Sequence, residues 1–251
     1  MEYFNIDNVH FGYKNNQILS NINISIAKGE FVAILGESGC GKSTLLKLLA
    51  GFEQVKEGNI SVEEKIYNSK DVIFINKKIA VMFQAPPLLP WLNVIDNVSF
   101  GNRLKNSQKT TEEAIDIAQK YLQAVELDFA ANKYPFELSG GMKQRAFLAK
   151  VLSDNKDIIL MDEPFGALDA FTREKMQILI KEIWQKYNKT VIFITHDIDE
   201  ALLLASRIII LKPFDKNTES NIAYQVSIPN YLPPDAHFGL KNQLLEIIRT
   251  N

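Results

Sequence analysis

Apolar and polar positions change period several times along this chain, and each change marks an element. Ile22-Asn23-Ile24-Ser25-Ile26 alternates in twos, as a half-buried strand does. Lys28-Gly29-Glu30 then turns into the unbroken apolar run Phe31-Val32-Ala33-Ile34-Leu35, which reads as a buried strand ending at Gly36. Beyond Lys42 the period becomes helical: Leu45, Leu46, Leu48 and Leu49 share one face, and Gly51 is the stop. Two more runs, Asp71-Val72-Ile73-Phe74-Ile75 and Ile79-Ala80-Val81-Met82-Phe83, predict further strands.

The texture changes at Pro86-Pro87-Leu88-Leu89-Pro90-Trp91, where prolines exclude a helix or strand interior and predict a surface connection. From there to about residue 155 the signals are helical, and Thr110 with Glu113 reads as a capping box ahead of an amphipathic helix through Val125. Ile158-Ile159-Leu160-Met161 predicts a strand, and a helix from Thr172 to Tyr187 carries one apolar stripe. Strands Thr190 to Thr195 and Arg207 to Leu211 follow, with a short helix between them. Strands alternating with helices imply a mainly parallel sheet. The tail after Lys212, interrupted by Pro213, Pro229, Pro233 and Pro234, reads as irregular until a helix over Leu240 to Ile248.

Bulk properties narrow the field. A net charge of −2 offers no electrostatic case for nucleic acid as a partner. The single cysteine, Cys40, excludes an internal disulfide framework and fits a reducing compartment. The longest apolar stretch, Ala201 to Leu211, is broken by Ser206 and Arg207, short of the roughly 20 residues a membrane-crossing helix needs. The first residues, Met1-Glu2-Tyr3-Phe4-Asn5, carry no secretory pattern. Any task at a bilayer therefore calls for a second chain to supply the span.

The chemistry concentrates in two places. Gly36-Glu37-Ser38-Gly39-Cys40-Gly41-Lys42-Ser43-Thr44 joins a buried strand to a helix N-terminus, the context in which a glycine-rich loop cradles phosphates. Gly36, Gly39 and Gly41 allow close approach of backbone N–H donors, Lys42 is expected to reach the β- and γ-phosphates of ATP, and the Ser43 hydroxyl to ligate Mg²⁺. Cys40 reads as a small filler. The second place is the end of the strand Ile158 to Met161. Asp162 there is expected to hold the Mg²⁺ shell, and Glu163, one residue beyond, to accept a proton from an attacking water. Gln84 and His196 follow other strands and so are expected on the rim where parallel sheets bind ligands, with Gln84 touching water or Mg²⁺ and His196 the γ-phosphate. Ser139-Gly140-Gly141 opens a helix whose positive end suits a phosphate as well.

Phe11-Gly12-Tyr13, the loop from Gly36 to Thr44, Gln84, Leu138-Ser139-Gly140-Gly141, Asp162-Glu163, Ala167-Leu168-Asp169 and His196 stand in the order of the ATP-binding cassette of an ABC transporter, which this chain resembles across nearly all of residues 1 to 212. The resemblance implies that Tyr13 stacks on adenine and that two chains pack head to tail around two ATP molecules. In that dimer Ser139, Gly140 and Gly141 would serve the partner's nucleotide, and Asp169 would lie at the interface. It also implies a single cassette over 1–251: a β-subdomain and phosphate-loop core at 1–85, a helical signature subdomain at 86–156, the core continued at 157–212, and a tail at 213–251. The expected fold is thus an α/β P-loop NTPase core of mainly parallel sheet, with an N-terminal antiparallel β-subdomain and an inserted helical one.

Leu88-Leu89-Pro90-Trp91 shortly after Gln84, with Phe165-Gly166-Ala167-Leu168-Asp169, is similar to importers of the nitrate/sulfonate/taurine type. That similarity implies a separate transmembrane permease, for nitrate, sulfonates, taurine, bicarbonate or thiamine precursors, fed by an extracytoplasmic solute-binding protein. It implies a place at the cytoplasmic face of the membrane, peripheral through the permease, with Leu88, Leu89, Trp91 and Leu92 facing that partner; the other reading of these apolar residues is a subdomain core, and for Leu88 and Leu89 the two stand level. The competing expectation is a soluble assembly-type ABC ATPase with no permease, against which the Leu-Leu-Pro-Trp segment argues.

Overall fold

The computed structural model describes residues 2–14, 16–84, 87–105, 110–229 and 233–249. The chain opens with the long strands β1 (Glu2–Tyr13) and β2 (Asn16–Ala27), followed by β3 (Phe31–Gly36), α1 (Lys42–Leu49), β4 (Glu57–Val62) and the short β5 (Lys65–Ile66). Then come α2 (Val72–Lys78), β6 (Ile79–Met82), α3 (Val94–Lys105), α4 (Thr111–Ala124) and α5 (Gly140–Ser153). The remainder is β7 (Ile158–Asp162), α6 (Ala170–Tyr187), β8 (Thr190–Ile194), α7 (Ile198–Leu204), β9 (Arg207–Leu211), β10 (Ile222–Ser227) and α8 (Pro234–Arg249).

These strands form an antiparallel sheet in the order β2-β1-β4-β5 and a second sheet in the order β10-β9-β3-β8-β7-β6. The second is parallel except for β10, which pairs antiparallel on its edge. An α/β core with an antiparallel N-terminal sheet is the expected fold class. The run Phe31 to Leu35 is apolar throughout because β3 is buried on both faces. Phe31, Ala33 and Leu35 enter one core with α3–α7, while Val32 and Ile34 enter the other, beneath β1, β2 and α1. Strand β7 divides the same way, with Ile159 and Met161 on the first side and Ile158 and Leu160 on the second.

Two expectations are corrected. Asp71 to Ile75 is no strand; it enters α2, in which only Ile75 is buried and Ile73 is 88% exposed. A five-residue apolar run does not by itself distinguish the two states. Lys77 and Lys78 in the last turn suit a helix C-terminus. Ile75 packs so closely on Gly51 (φ +72°) that a Cβ there would strike it. The tail is likewise more ordered than expected. Ile222, Tyr224 and Val226 are half-buried while the residues between them are exposed, and α8 starts six residues before Leu240, at Pro234, a residue that helices accept in their first turn.

Helices α3, α4 and α5 pack on one another beside the parallel sheet. The α4 capping box is present: Glu113 N donates to Thr110 Oγ1 at 3.2 Å and Thr110 N to Glu113 Oε2 at 2.9 Å. Thr110→Ala is expected to cost about 1 kcal/mol, read as a lowered urea midpoint with unchanged slope. Ala85 and Pro86 lie outside the described residues. The rest of the proline-rich segment is organised by Asn97, fully buried, which accepts from Leu89 N and donates to the carbonyls of Leu89, Leu92 and Asn93. That clamp leaves Leu88 packed on the core and Trp91 70% exposed.

Candidate active site

Strand β3 delivers the chain to its loop through Gly36, where a Cβ would run into the Leu211 carbonyl of the neighbouring β9. Gly41 caps α1 at φ +102°, in the left-handed region, and offers no side chain to the helix N-terminus. The first turn of α1 holds no acidic residue either, so its N–H groups are left for an anion. They open onto a cavity of about 530 Å³ whose lining includes Ser38, Gly39, Lys42, Ser43 and Thr44 from the loop. Gln84, Glu163 and His196 line its opposite side.

Lys42 is only 9% exposed, and its Nζ donates to the carbonyls of Gly36 and Glu37 at 2.7 Å each. The loop thus holds its cation by wrapping around it. Cys40 is buried beneath, and burial pushes its thiol above the usual range against the opposing pull of Lys42. Asp162 ends β7 and receives a hydrogen bond from the Ser43 hydroxyl. Burial raises the Asp162 carboxyl, and that hydrogen bond pulls it back down.

Glu163 sits just past β7 at φ +45°, a left-handed backbone that costs a non-glycine residue on the order of 1 kcal/mol. Glu163 N donates to the Ile194 carbonyl of β8, which helps hold the turn. The side chain lies between two partners: Gln84 Nε2 donates to Oε2 at 3.0 Å, and His196 Nδ1 stands 3.2 Å from Oε1. Three residues far apart in sequence meet here because β6, β7 and β8 all end at one edge of the sheet.

The other predicted site residues lie elsewhere. Tyr13 is exposed at the end of β1, its hydroxyl donating to Glu53 at 2.9 Å. Ser139 caps α5 by accepting from Met142 N at 3.3 Å, and both Ser139 and Gly140 face solvent. Gly141 lies against the Ala167 carbonyl. Asp169 caps α6, accepting from Thr172 N at 3.0 Å, and that N–H holds its carboxyl below the usual range. Glu37 belongs to the loop but not to the lining of the cavity.

A phosphate cradle carrying a lysine, opposite a carboxylate flanked by glutamine and histidine, can be set against known proteins. The model of the family described as ABC transporter matches residues 19–166. The chain belongs to the ABC transporter family. The taurine import ATP-binding protein TauB of Escherichia coli O157:H7 is 41% identical over 208 residues, 83% of this chain and 79% of the relative. The ABC transporter ATP-binding protein MJ0412 of Methanocaldococcus jannaschii is 37% identical over 249 residues, 92% of this chain and 91% of the relative. Among solved structures, the dimeric ATP-binding cassette MJ0796 in a post-hydrolysis state bound to ADP and Pi superposes with a TM-score of 0.82 at 32% identity, over 91% of this chain and all of that one. The cassette cbiO1 of Clostridium perfringens, part of the ABC transporter complex cbiONQ, gives 0.79 at 26%, covering 98% and 95%.

As an ABC ATP-binding subunit, the chain binds nucleotide and hydrolyses ATP. Among the described residues no helix is long and apolar enough to cross a membrane. Sequence reasoning missed Ile18 of β2, which lines the cavity, and the buried Glu200 behind His196. Ile18 carries no local signal. Glu200 hid among Asp197 and Asp199 as one more acidic residue at a helix start.

Proposed function

We propose that this chain is the ATP-hydrolysing subunit of an importer, driving a separate permease for small solutes of the taurine and sulfonate class. The observation that carries the ATPase half is Glu163, held between Gln84 and His196 across the cavity from Lys42. What supports the solute class is the likeness to the taurine import ATP-binding protein, and the exposed Trp91 supports contact with a permease.

In this reading the N–H groups of Gly39 to Thr44 and the Lys42 ammonium bind the β- and γ-phosphates. Glu163 accepts the proton of the attacking water, and His196 faces the γ-phosphoryl oxygens. Gln84 holds Glu163 in place and reports its state toward the Leu88 to Trp91 loop. The work on this side is positioning and neutralising charge. Ser43 and Asp162 form a hydroxyl–carboxylate pair suited to a hard cation that completes its shell with water and phosphate oxygens; among the described residues no cluster of three or more His, Cys, Asp or Glu offers a full metal cage. Mg²⁺ there would neutralise charge developing on the phosphates. Tyr13 would take the adenine, and a second copy of the chain would present Ser139, Gly140, Gly141 and Asp169 to complete each site.

The test is a pull-down from detergent-solubilised membranes with the Glu163→Gln chain and ATP. A co-purifying polytopic permease supports the importer, and its solute-binding protein then names the solute. Recovery of a soluble assembly complex without a permease would sink the importer reading. A narrower prediction concerns Trp91. Because Asn97 holds the loop independently of it, Trp91→Glu should leave ATPase of the isolated chain within about twofold. It should abolish stimulation by solute in proteoliposomes carrying the permease. Equal stimulation in wild type and variant would remove Trp91 from the permease contact.

A further inference from the structure

Behind the Glu163–His196 pair lies a second, smaller cavity of about 70 Å³, bounded also by Arg173, Thr195, Asp197 and Glu200. Glu200 is 8% exposed, on the first turn of α7, and its carboxylate is fully engaged. Thr195 Oγ1 donates to Oε2 at 2.7 Å, Gln177 Nε2 of α6 donates to Oε1 at 3.3 Å, and Arg173 Nε of α6 lies 3.9 Å from Oε1. The same Thr195 hydroxyl accepts from Asp197 N at 3.1 Å. The residues on either side of His196 are therefore locked together by one hydroxyl, and that hydroxyl is anchored to Glu200. At the other end, Arg173 Nη2 donates to the Leu168 carbonyl at 3.2 Å, and Arg173 N to the Asp169 carbonyl at 2.8 Å.

We propose that Glu200 is a positioning residue that sets His196 against Glu163 and makes that setting depend on the turn ending in Asp169. This rests on the reading of Glu163 and His196 given above. A buried carboxylate is a costly anchor unless each oxygen is occupied. Here Thr195 holds one oxygen, and α6 holds the other through Gln177 and Arg173. Displacing the Leu168–Asp169 turn moves Arg173 and loosens Glu200. The Thr195 hydroxyl then loses its acceptor, and the His196 ring is freed from its place 3.2 Å from Glu163. A subunit whose Asp169 turn is not seated against its partner would therefore hold His196 poorly, which makes hydrolysis conditional on assembly without any contact between Glu200 and nucleotide.

The chain contains three histidines, so the proposal has a direct spectroscopic readout. The full-length chain, ¹³C-labelled at histidine, gives three imidazole signals, and His10 on β1 of the antiparallel sheet is the internal reference. Glu200→Gln and the more exposed Arg173→Met are each expected to shift the His196 signal and leave His10 in place. Glu163→Gln, which changes the direct neighbour, should shift it as well. In steady state both Glu200→Gln and Arg173→Met should lower kcat about tenfold with KM for ATP within about twofold. If Glu163→Gln moves the His196 signal but neither Glu200→Gln nor Arg173→Met does, the relay is wrong and the site reading stands. If Glu163→Gln leaves the signal unmoved, the Glu163–His196 pairing fails and the relay with it. A raised KM at unchanged kcat would also overturn the proposal, and Arg173→Met alone decides it should Glu200→Gln fail to fold.

Discussion

Glu163→Gln should lower ATP turnover by about 10²–10³-fold while leaving ATP affinity within a few-fold, the range that removal of a general base produces. The replacement is isosteric, so the left-handed backbone at φ +45° and the bond from Glu163 N to Ile194 are undisturbed. What disappears is the only negative charge among the described residues that line the phosphate cavity, the one held between Gln84 and His196. An amide cannot take a proton from water near neutral pH. Binding relies instead on Lys42 and the N–H groups of α1, across the cavity, and should persist. With hydrolysis stalled and binding retained, the ATP-bound form accumulates, and a shift from monomer to dimer in light scattering is expected with ATP and Mg²⁺ but not with ADP. The decisive measurement is single-turnover hydrolysis beside a binding titration. Turnover within about threefold of wild type would exclude Glu163 as the base, since even a weak base contributes more than that. A parallel collapse of affinity would show that the residue builds the cradle itself.

How much of this was legible in the sequence depends on how local each feature is. The loop from Gly36 to Thr44 announces itself because one short segment supplies donors, turn and cation together. Asp162 and Glu163 were legible for the same reason, following a strand whose four apolar residues leave it no exposed face. His196 and Gln84 could be placed at strand ends, but their meeting on Glu163 required knowing that β6, β7 and β8 are adjacent, and adjacency is a property of the sheet. The misread run Asp71 to Ile75 failed because its side chains resolve into helix or strand only through what they pack on, and here Ile75, the one buried residue of α2, lies against Gly51. Strand β10 was missed because its alternation is weak and its partner β9 reads only as another parallel strand. Leu88 and Trp91, alike in sequence as exposed-or-core apolars, are separated by Asn97, whose four hydrogen bonds no pattern of hydrophobicity reveals. Glu200 is the extreme case: an acidic residue near a helix start usually serves the helix, and here Asp197 already does so, accepting from Asp199 N and Glu200 N.

Lys42→Ala is expected to weaken ATP binding by about 10²-fold or more, and the geometry says why the loss should exceed that of one hydrogen bond. The ammonium is buried to 9% exposure and fixed between the carbonyls of Gly36 and Glu37 at 2.7 Å, so it meets a phosphate already oriented and largely stripped of water. At about 4 Å and an effective dielectric near 20, one charge pair contributes on the order of 4 kcal/mol, an upper figure once a divalent cation shares the phosphates. The substitution also frees two loop carbonyls, but it removes a buried charge at the same time; these oppose each other, and the folded chain should change stability by about 1 kcal/mol or less. Binding and stability therefore separate cleanly in this variant. A fluorescent-nucleotide titration alongside a thermal melt measures both. Affinity retained within a few-fold would mean that the cavity at α1 is not where the triphosphate sits, because no other lysine or arginine is among the described residues that line it. A melt depressed by many degrees would instead show that the lysine chiefly holds its own loop closed.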